Sequence, residues 1–278
     1  MIALTCGGLA AALSATASWR LRDTTFAAPC AWAAFSFAVL AADAAWAAGN
    51  AAANRLTAMH LEYLAAVTVV APFVALLGAK RPQHVAWQWI VASLVALLAF
   101  QDLRSWLIEG VKPSPHAAWQ WLLAALLLMQ VCNYLPTRYA TAAILAAAGQ
   151  LGVLASSFSF WPEAPPWVFT AGVVSLSLAA LWAAILSRRR RPVADAWRGA
   201  WLDFRDLYGV LWAVRVCQRV NSVSAGQTRR QLSWHGISPV SAGETPTTDE
   251  AVDQDAEPLR RSLRAVLARF LSPARPVN

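Results

Sequence analysis

Charged residues are scarce in this chain. Of its 278 residues, 14% are charged and 58% are hydrophobic, whereas a soluble domain has roughly 25% charged and 45–50% apolar residues. This balance argues against a soluble globular protein and against a chain that is disordered along its whole length. Lysine is rarer still, since 23 basic residues include only Lys80 and Lys112. The preference for arginine and alanine is typical of a GC-rich, bacterial coding genome.

Paired cysteines and catalytic motifs are also lacking. The four cysteines include no CxxC pair and have no neighbouring histidine, which argues against a disulfide framework or a zinc site. We expect buried, unreactive thiols and no cofactor. The chain contains no GxxxxGK[ST] phosphate loop, HExxH, GxSxG, or kinase or dinucleotide fingerprint, so we expect a protein that is not an enzyme.

Long apolar runs fill the first two thirds of the chain. Each is close to the ~17–25 residues that cross a bilayer as a helix. They predict an all-α, multi-pass transmembrane helix bundle over residues 1–187, with seven spans at 2–18, 26–48, 60–79, 85–101, 118–135, 139–157 and 167–187. The first run is the weakest because it contains Gly7, Gly8 and several Ser and Thr residues. A bundle of six spans, or cleavage of the first run as a signal peptide, therefore stays an alternative.

The basic residues of the short loops predict an orientation. One set of alternate connections holds nine basic residues: Arg20, Arg22, Lys80, Arg81, Arg138 and Arg188 to Arg191. The other set holds three, Arg55, Arg104 and Lys112. The positive-inside rule places the richer set in the cytoplasm. We therefore expect a cell-membrane protein with its N-terminus outside and its C-terminal tail in the cytoplasm.

The tail predicts three segments after the span at 167–187. Residues 188–222 are expected to form a juxtamembrane amphipathic helix, in which Trp197, Trp201, Phe204, Tyr208 and Leu211 recur at helical spacing. Residues 223–258, rich in Ser, Thr and acidic side chains, are expected to be a disordered linker. Residues 259–278 are expected to form a short basic amphipathic helix, which would need a surface to be stable.

The arginine run before the first tail segment suggests a membrane-surface function. Arg188, Arg189, Arg190 and Arg191, followed by Trp197 and Trp201, suit a helix that lies in the membrane interface. The alternative is a helix packed on a small cytosolic domain or on the ends of the spans. The expected partners are the lipid bilayer and a cytoplasmic protein, with no nucleic acid, because no nucleic-acid-binding motif accompanies the basic residues.

Ionisable residues gather on the predicted outer side of the membrane. The topology brings together Asp43, Arg55, His60, Glu62 and Asp102. Intramembrane ionisable residues usually face the bundle interior and pair, so these residues could form an outward-open site for a cation or proton. The plainer interpretation is that Asp43 is protonated or neutralised by Arg55, while His60 and Glu62 lie in headgroup water. A metal site is disfavoured, since His60 and Glu62 supply too few ligands.

The sequence thus leaves several functions open. The preferred hypothesis is a non-enzymatic membrane scaffold or anchor whose cytoplasmic tail is the interaction arm. The first alternative is a transporter or channel for a small solute or ion, which requires paired polar groups inside the bundle. A membrane sensor module is the further alternative.

Overall fold

The computed structural model describes residues 1–50, 55–113, 115–158, 161, 164–189, 196–239 and 249–270. The chain divides into two compact units, Met1–Arg188 and Arg189–Asn278. The first unit is built from helices: α1 (Ile2–Arg20), α2 (Ala27–Gly49), α3 (Arg55–Val67), α4 (Ala71–Leu77), α5 (His84–Arg104), α6 (Ala117–Tyr134), α7 (Ala140–Leu154) and α8 (Pro166–Arg188).

Six stretches in the described part of the chain are long and apolar enough to cross a membrane. They are Ile2–Arg20, Ala27–Gly49, Arg55–Leu77, His84–Glu109, Ala140–Ser157 and Trp167–Arg188. The protein is therefore a multi-pass helical membrane protein by length and composition. The first stretch, which was the weakest in the sequence, is among the six.

Seven spans are not confirmed. The predicted span at 118–135 forms a helix, α6, but this helix is not among the six candidates. It contains no charged residue, yet Gln120, Gln130 and Asn133 lower its mean hydropathy. Gln130 and Asn133 are buried inside the unit.

The third candidate span is interrupted between α3 and α4. A 3-10 turn, Thr68–Val70, separates the two helices just before Pro72. Proline has no N–H to offer the carbonyl four residues earlier, and that carbonyl belongs to Thr68. The Thr68 oxygen instead accepts from the Ala71 N–H and from the Ser36 hydroxyl at 2.7 Å. At the next residue, Gln150 donates to the Val69 carbonyl at 2.9 Å, so neighbouring helices provide donors at the interruption.

Helices α7 and α8 approach closely through glycine. A β-carbon on Gly172 would lie 2.7 Å from the Val153 nitrogen and 2.8 Å from the Gly149 oxygen. Gly152 in turn faces the Gly172 α-carbon. Small residues let transmembrane helices pack backbone to backbone, and this explains the glycines in α7.

The second unit has a fold of its own. It comprises α9 (Ala196–Ser224), an antiparallel hairpin of β1 (Arg230–Ser233) and β2 (Gly236–Pro239), and α10 (Asp249–Leu267). Helix α9 bends at Gly209, which has a positive φ of 77°. The hairpin is the only strand pair in the described ranges, so the fold is helical except for these two short strands.

The expected disordered linker at 223–258 differs from the structure over its described residues. The end of α9, the hairpin and the start of α10 all fall within it. This segment has few large apolar side chains, and polar contacts hold it in place. The Asn221 side chain donates to the Leu232 carbonyl at 3.0 Å and accepts from the Leu232 N–H at 2.8 Å. Thr228 donates to the Asp255 carbonyl at 2.6 Å, and this bond ties the approach to the hairpin to α10. Residues 240–248 lie outside the described ranges.

Candidate functional site

A buried histidine and a buried aspartate are in hydrogen-bonding contact inside the first unit. His60 of α3 is completely buried, and Asp102 near the end of α5 is 4% exposed. The His60 Nδ1 lies 2.8 Å from the Asp102 Oδ1, and the His60 Nε2 lies 3.0 Å from the Val111 carbonyl oxygen. Three separate segments therefore converge on one imidazole ring.

The segment that follows α5 turns back so that its backbone contacts the His60 ring. A short π-helical turn, Ser105–Glu109, follows α5, and Gly110 ends it with a left-handed φ of 63°. Such a conformation is easy for glycine because it lacks a β-carbon. The Val111 N–H then donates back to the Ser105 carbonyl at 3.3 Å. The same turn stacks Trp106 on His60, with ring centroids 5.4 Å apart and an interplanar angle of 10°.

The contacts of His60 determine the protons that the pair can hold. A carbonyl oxygen only accepts hydrogen bonds, so Nε2 carries a proton and donates to Val111. The proton between Nδ1 and the carboxylate belongs to either partner, giving imidazolium with carboxylate or neutral imidazole with carboxylic acid. In both forms the pair is electrically neutral as a whole, which suits a buried position. Both ring nitrogens are thus engaged in contacts within the first unit.

One oxygen of Asp102 remains unsatisfied. Asp102 Oδ2 is buried and has no hydrogen-bond partner, and the same is true of the neighbouring Gln101 Oε1. Both residues line a small cleft together with Tyr63, Ser105 and Pro115. An unsatisfied buried acceptor is costly, so a hydrogen-bond donor that reached these two oxygens would lower that cost.

The other predicted outer residues do not join this pair. Asp43 of α2 is 8% exposed, and its carboxylate lies close enough to that of Glu62 to interact electrostatically. Within the described ranges, Asp43 forms no hydrogen bond or ion pair with Arg55, His60 or Glu62. Arg55 is exposed at the start of α3, so the structure does not display the expected neutralisation of Asp43 by Arg55. His60 is buried rather than placed in headgroup water.

Three residues of the site were not expected from the sequence. Trp106 resembles the other tryptophans near span ends, which anchor helices in the headgroup region. Val111 contributes only a backbone oxygen, and Tyr63 lies within an apolar run. Gln101 stands beside Asp102, and this adjacency of two polar residues at a span end was the one available signal. Within the described ranges, no group of three or more His, Cys, Asp or Glu side chains could hold a metal ion.

The predicted membrane-surface residues fall into three groups. Arg188 and Arg189 are exposed, whereas Arg190 and Arg191 lie outside the described residues. Trp197 is half-buried beneath the Arg264 guanidinium, 4.9 Å from its ring centroid. Trp201 is 1% exposed, and its Nε1 donates to the Ser233 carbonyl at 3.0 Å.

The aromatic stripe of α9 forms the core of the second unit. Phe204 and Tyr208 are buried and pack against Phe270, with ring centroids 5.0 and 5.1 Å apart. Trp212 contacts the same ring at 5.1 Å. These contacts favour the alternative of a small packed domain over a helix whose aromatic face lies in lipid.

The described surface of the second unit is basic. Its exposed charged residues are two acids, Asp203 and Glu257, and eight arginines, Arg189, Arg198, Arg215, Arg219, Arg229, Arg261, Arg264 and Arg269. The buried Arg205 is instead paired with the adjacent Asp206 at 2.8 Å, and it donates to the Trp234 carbonyl. Among the described side chains of this unit, exposed positive charge therefore exceeds exposed negative charge.

Comparison of this chain with protein-family models, curated proteins and solved structures finds no match.

Proposed function

We propose that this protein is a non-enzymatic membrane anchor whose C-terminal unit binds an acidic cytoplasmic protein. The observation that carries the proposal is the second unit, which has its own aromatic core and, among the side chains that the structure describes, eight exposed arginines and two exposed acids. Complementary charge steers association and selects partners. The absence of catalytic motifs and the fully engaged imidazole of His60 support a binding role rather than an enzymatic one.

The proposal includes a topology. The tail is cytoplasmic because the four-arginine run follows the last span. With α6 as a crossing helix there are seven spans, and the N-terminus is outside the cell membrane. If α6 does not cross, six spans place both ends in the cytoplasm. Reporters fused at the two ends of the full chain distinguish these cases, and a C-terminal reporter that is active only after export would contradict both.

Charge reversal at two arginines, one in α10 and one in the turn that follows it, tests the interaction. Arg261 and Arg269 are exposed, so replacing both with glutamate should leave the aromatic core intact. The matched control replaces both with lysine and keeps the positive charge. In cells, a protein that cross-links to the wild-type tail should also cross-link to the lysine variant but not to the glutamate variant. Equal capture by the two variants would refute a charge-selected partner.

A transport function is the second candidate, and the buried His60–Asp102 pair favours it. Paired polar groups inside the bundle are what a transporter of a small ion requires. Purified protein reconstituted into liposomes should then catalyse ion flux that is lost when Asp102 is replaced by asparagine. Wild-type liposomes that are no leakier than empty ones would exclude this candidate and leave the anchor proposal unaffected.

A further inference from the structure

Four basic residues lie on two loops at one end of the first unit. Arg20 ends α1 and Arg22 follows it in the loop to α2, whereas Lys80 and Arg81 lie in the loop between α4 and α5. The two loops contain one acid, Asp23. Within the described ranges, none of these five charged side chains takes part in an ion pair, so the loops present positive charge that no carboxylate of the described chain neutralises.

Two hydrogen bonds join these loops. The buried Thr25 hydroxyl donates to the Ala79 carbonyl at 2.8 Å. The Arg81 Nη2 donates to the Asp23 carbonyl at 3.1 Å. These bonds connect residues that are 54 and 58 positions apart in the sequence, and they bring the Arg81 guanidinium beside the backbone that carries Arg22. The basic residues of the two loops therefore form one cluster.

An exposed tryptophan places this cluster at the level of the lipid headgroups. Trp19, in the last turn of α1, is 70% exposed, and tryptophan rings at span ends favour the headgroup region. The Arg22 guanidinium lies over this ring, 4.8 Å from its centroid. This cation–π contact holds the guanidinium at the depth where lipid phosphates lie.

We propose that the two loops form a binding site for the headgroup of an anionic phospholipid, such as phosphatidylglycerol. Guanidinium groups match phosphate oxygens in shape and charge, and basic clusters beside transmembrane helices favour anionic lipids. A zwitterionic lipid carries its own cation, which the cluster disfavours. The hydrogen bonds between the loops hold the basic residues together before the lipid arrives, and this lowers the ordering cost of binding. The site is separate from the surface of the second unit.

Native mass spectrometry of the purified full chain in detergent tests the proposal. The chain is titrated separately with phosphatidylglycerol and with phosphatidylcholine, which has no net charge, and the wild type should bind phosphatidylglycerol at the lower concentration. Replacing both Arg20 and Arg22 with glutamine should weaken phosphatidylglycerol binding about twentyfold, because each basic residue near a lipid headgroup contributes a factor of about five. Phosphatidylcholine binding should not change.

A matched control removes two arginines from the opposite end of the first unit. Arg55 begins α3 and Arg104 ends α5, and both are exposed. The double variant Arg55→Gln with Arg104→Gln has the same net charge as the test variant and should bind phosphatidylglycerol like the wild type.

A second variant keeps the test decisive if the arginine substitutions disturb folding. Among the described residues, the Lys80 side chain forms no hydrogen bond or ion pair, so Lys80→Gln removes a charge without breaking the contact between the loops. It should weaken phosphatidylglycerol binding about fivefold. Equal binding of the two lipids by the wild type, or an equal loss in the control, would overturn the proposal. Displacement of phosphatidylglycerol by inorganic phosphate would assign the loops to a soluble phosphate and overturn it as well.

Discussion

Replacing Gly172 with alanine is expected to push α7 and α8 apart. The new methyl carbon would lie 2.7 Å from the Val153 nitrogen and 2.8 Å from the Gly149 oxygen. Both atoms belong to the backbone, so no side-chain rotation can relieve the contact, and the helices themselves must move. Overpacking of this kind costs about 1–3 kcal/mol.

A matched variant separates this cost from helix propensity. Alanine is a better helix former than glycine by about 0.8–1.0 kcal/mol in aqueous reference helices, and this gain applies to any glycine in a helix. Gly8 of α1 has nothing within 4 Å of a built β-carbon. The difference between Gly172→Ala and Gly8→Ala therefore isolates the overpacking cost.

The free energy of unfolding provides the measurement. The full chain is unfolded with increasing SDS in mixed micelles, and its helix content is followed by circular dichroism. Gly172→Ala should unfold at a lower SDS concentration than Gly8→Ala, and its free energy of unfolding should be lower by about 1–3 kcal/mol. Equal stability of the two variants would refute the close backbone approach of α7 and α8.

Three further outcomes concern the second unit. Burial raises the pKa of the Cys217 thiol to about 11, and only the thiolate reacts. In a variant without the other cysteines, the alkylation rate of Cys217 should still rise above pH 9. A rate that reaches a plateau at pH 9 would contradict the raised pKa. Phe270→Ala should destabilise this unit by about 3–5 kcal/mol, whereas Val223→Ala, at an exposed position, should change its stability by under about 0.5 kcal/mol; equal protease resistance of the two would contradict the aromatic core. Asp206→Ala leaves the buried Arg205 unpaired and should cost about 3–5 kcal/mol, so an unchanged denaturation midpoint would show that the pair is not buried in solution.

The helices of the first unit were predictable because long apolar runs have few alternatives in a membrane. Their ends were less predictable. The third span is predicted to begin at residue 60, whereas the helical span begins at Arg55. The run at 85–101 was expected to stop before Asp102, but helical structure continues to Glu109. The predicted helix boundaries are therefore wrong at the polar ends of these two spans, and polar residues at the same ends form the candidate site.

The sequence placed His60 and Asp102 on one side of the membrane but did not pair them. Their contact depends on the π-helical turn and on Gly110, which return the chain so that Val111 meets the ring. Neither feature has a periodic pattern in the sequence. In the tail, the two hydrogen bonds between the Asn221 side chain and the Leu232 backbone stabilise a segment whose composition is typical of a linker. Individual contacts of this kind cannot be predicted from amino-acid composition.

The interruption at Pro72 has a consequence for how the bundle is made. A helix that enters the bilayer alone must satisfy its own backbone groups, and this one relies on the Ser36 hydroxyl and the Gln150 amide for additional donors. Ser36 emerges from the ribosome before Pro72, whereas Gln150 emerges almost eighty residues later. The Ser36 donor is therefore already synthesised when the interrupted helix is made, whereas the Gln150 donor becomes available only after α7 has been synthesised. The order of translation is thus part of the assembly of this membrane domain.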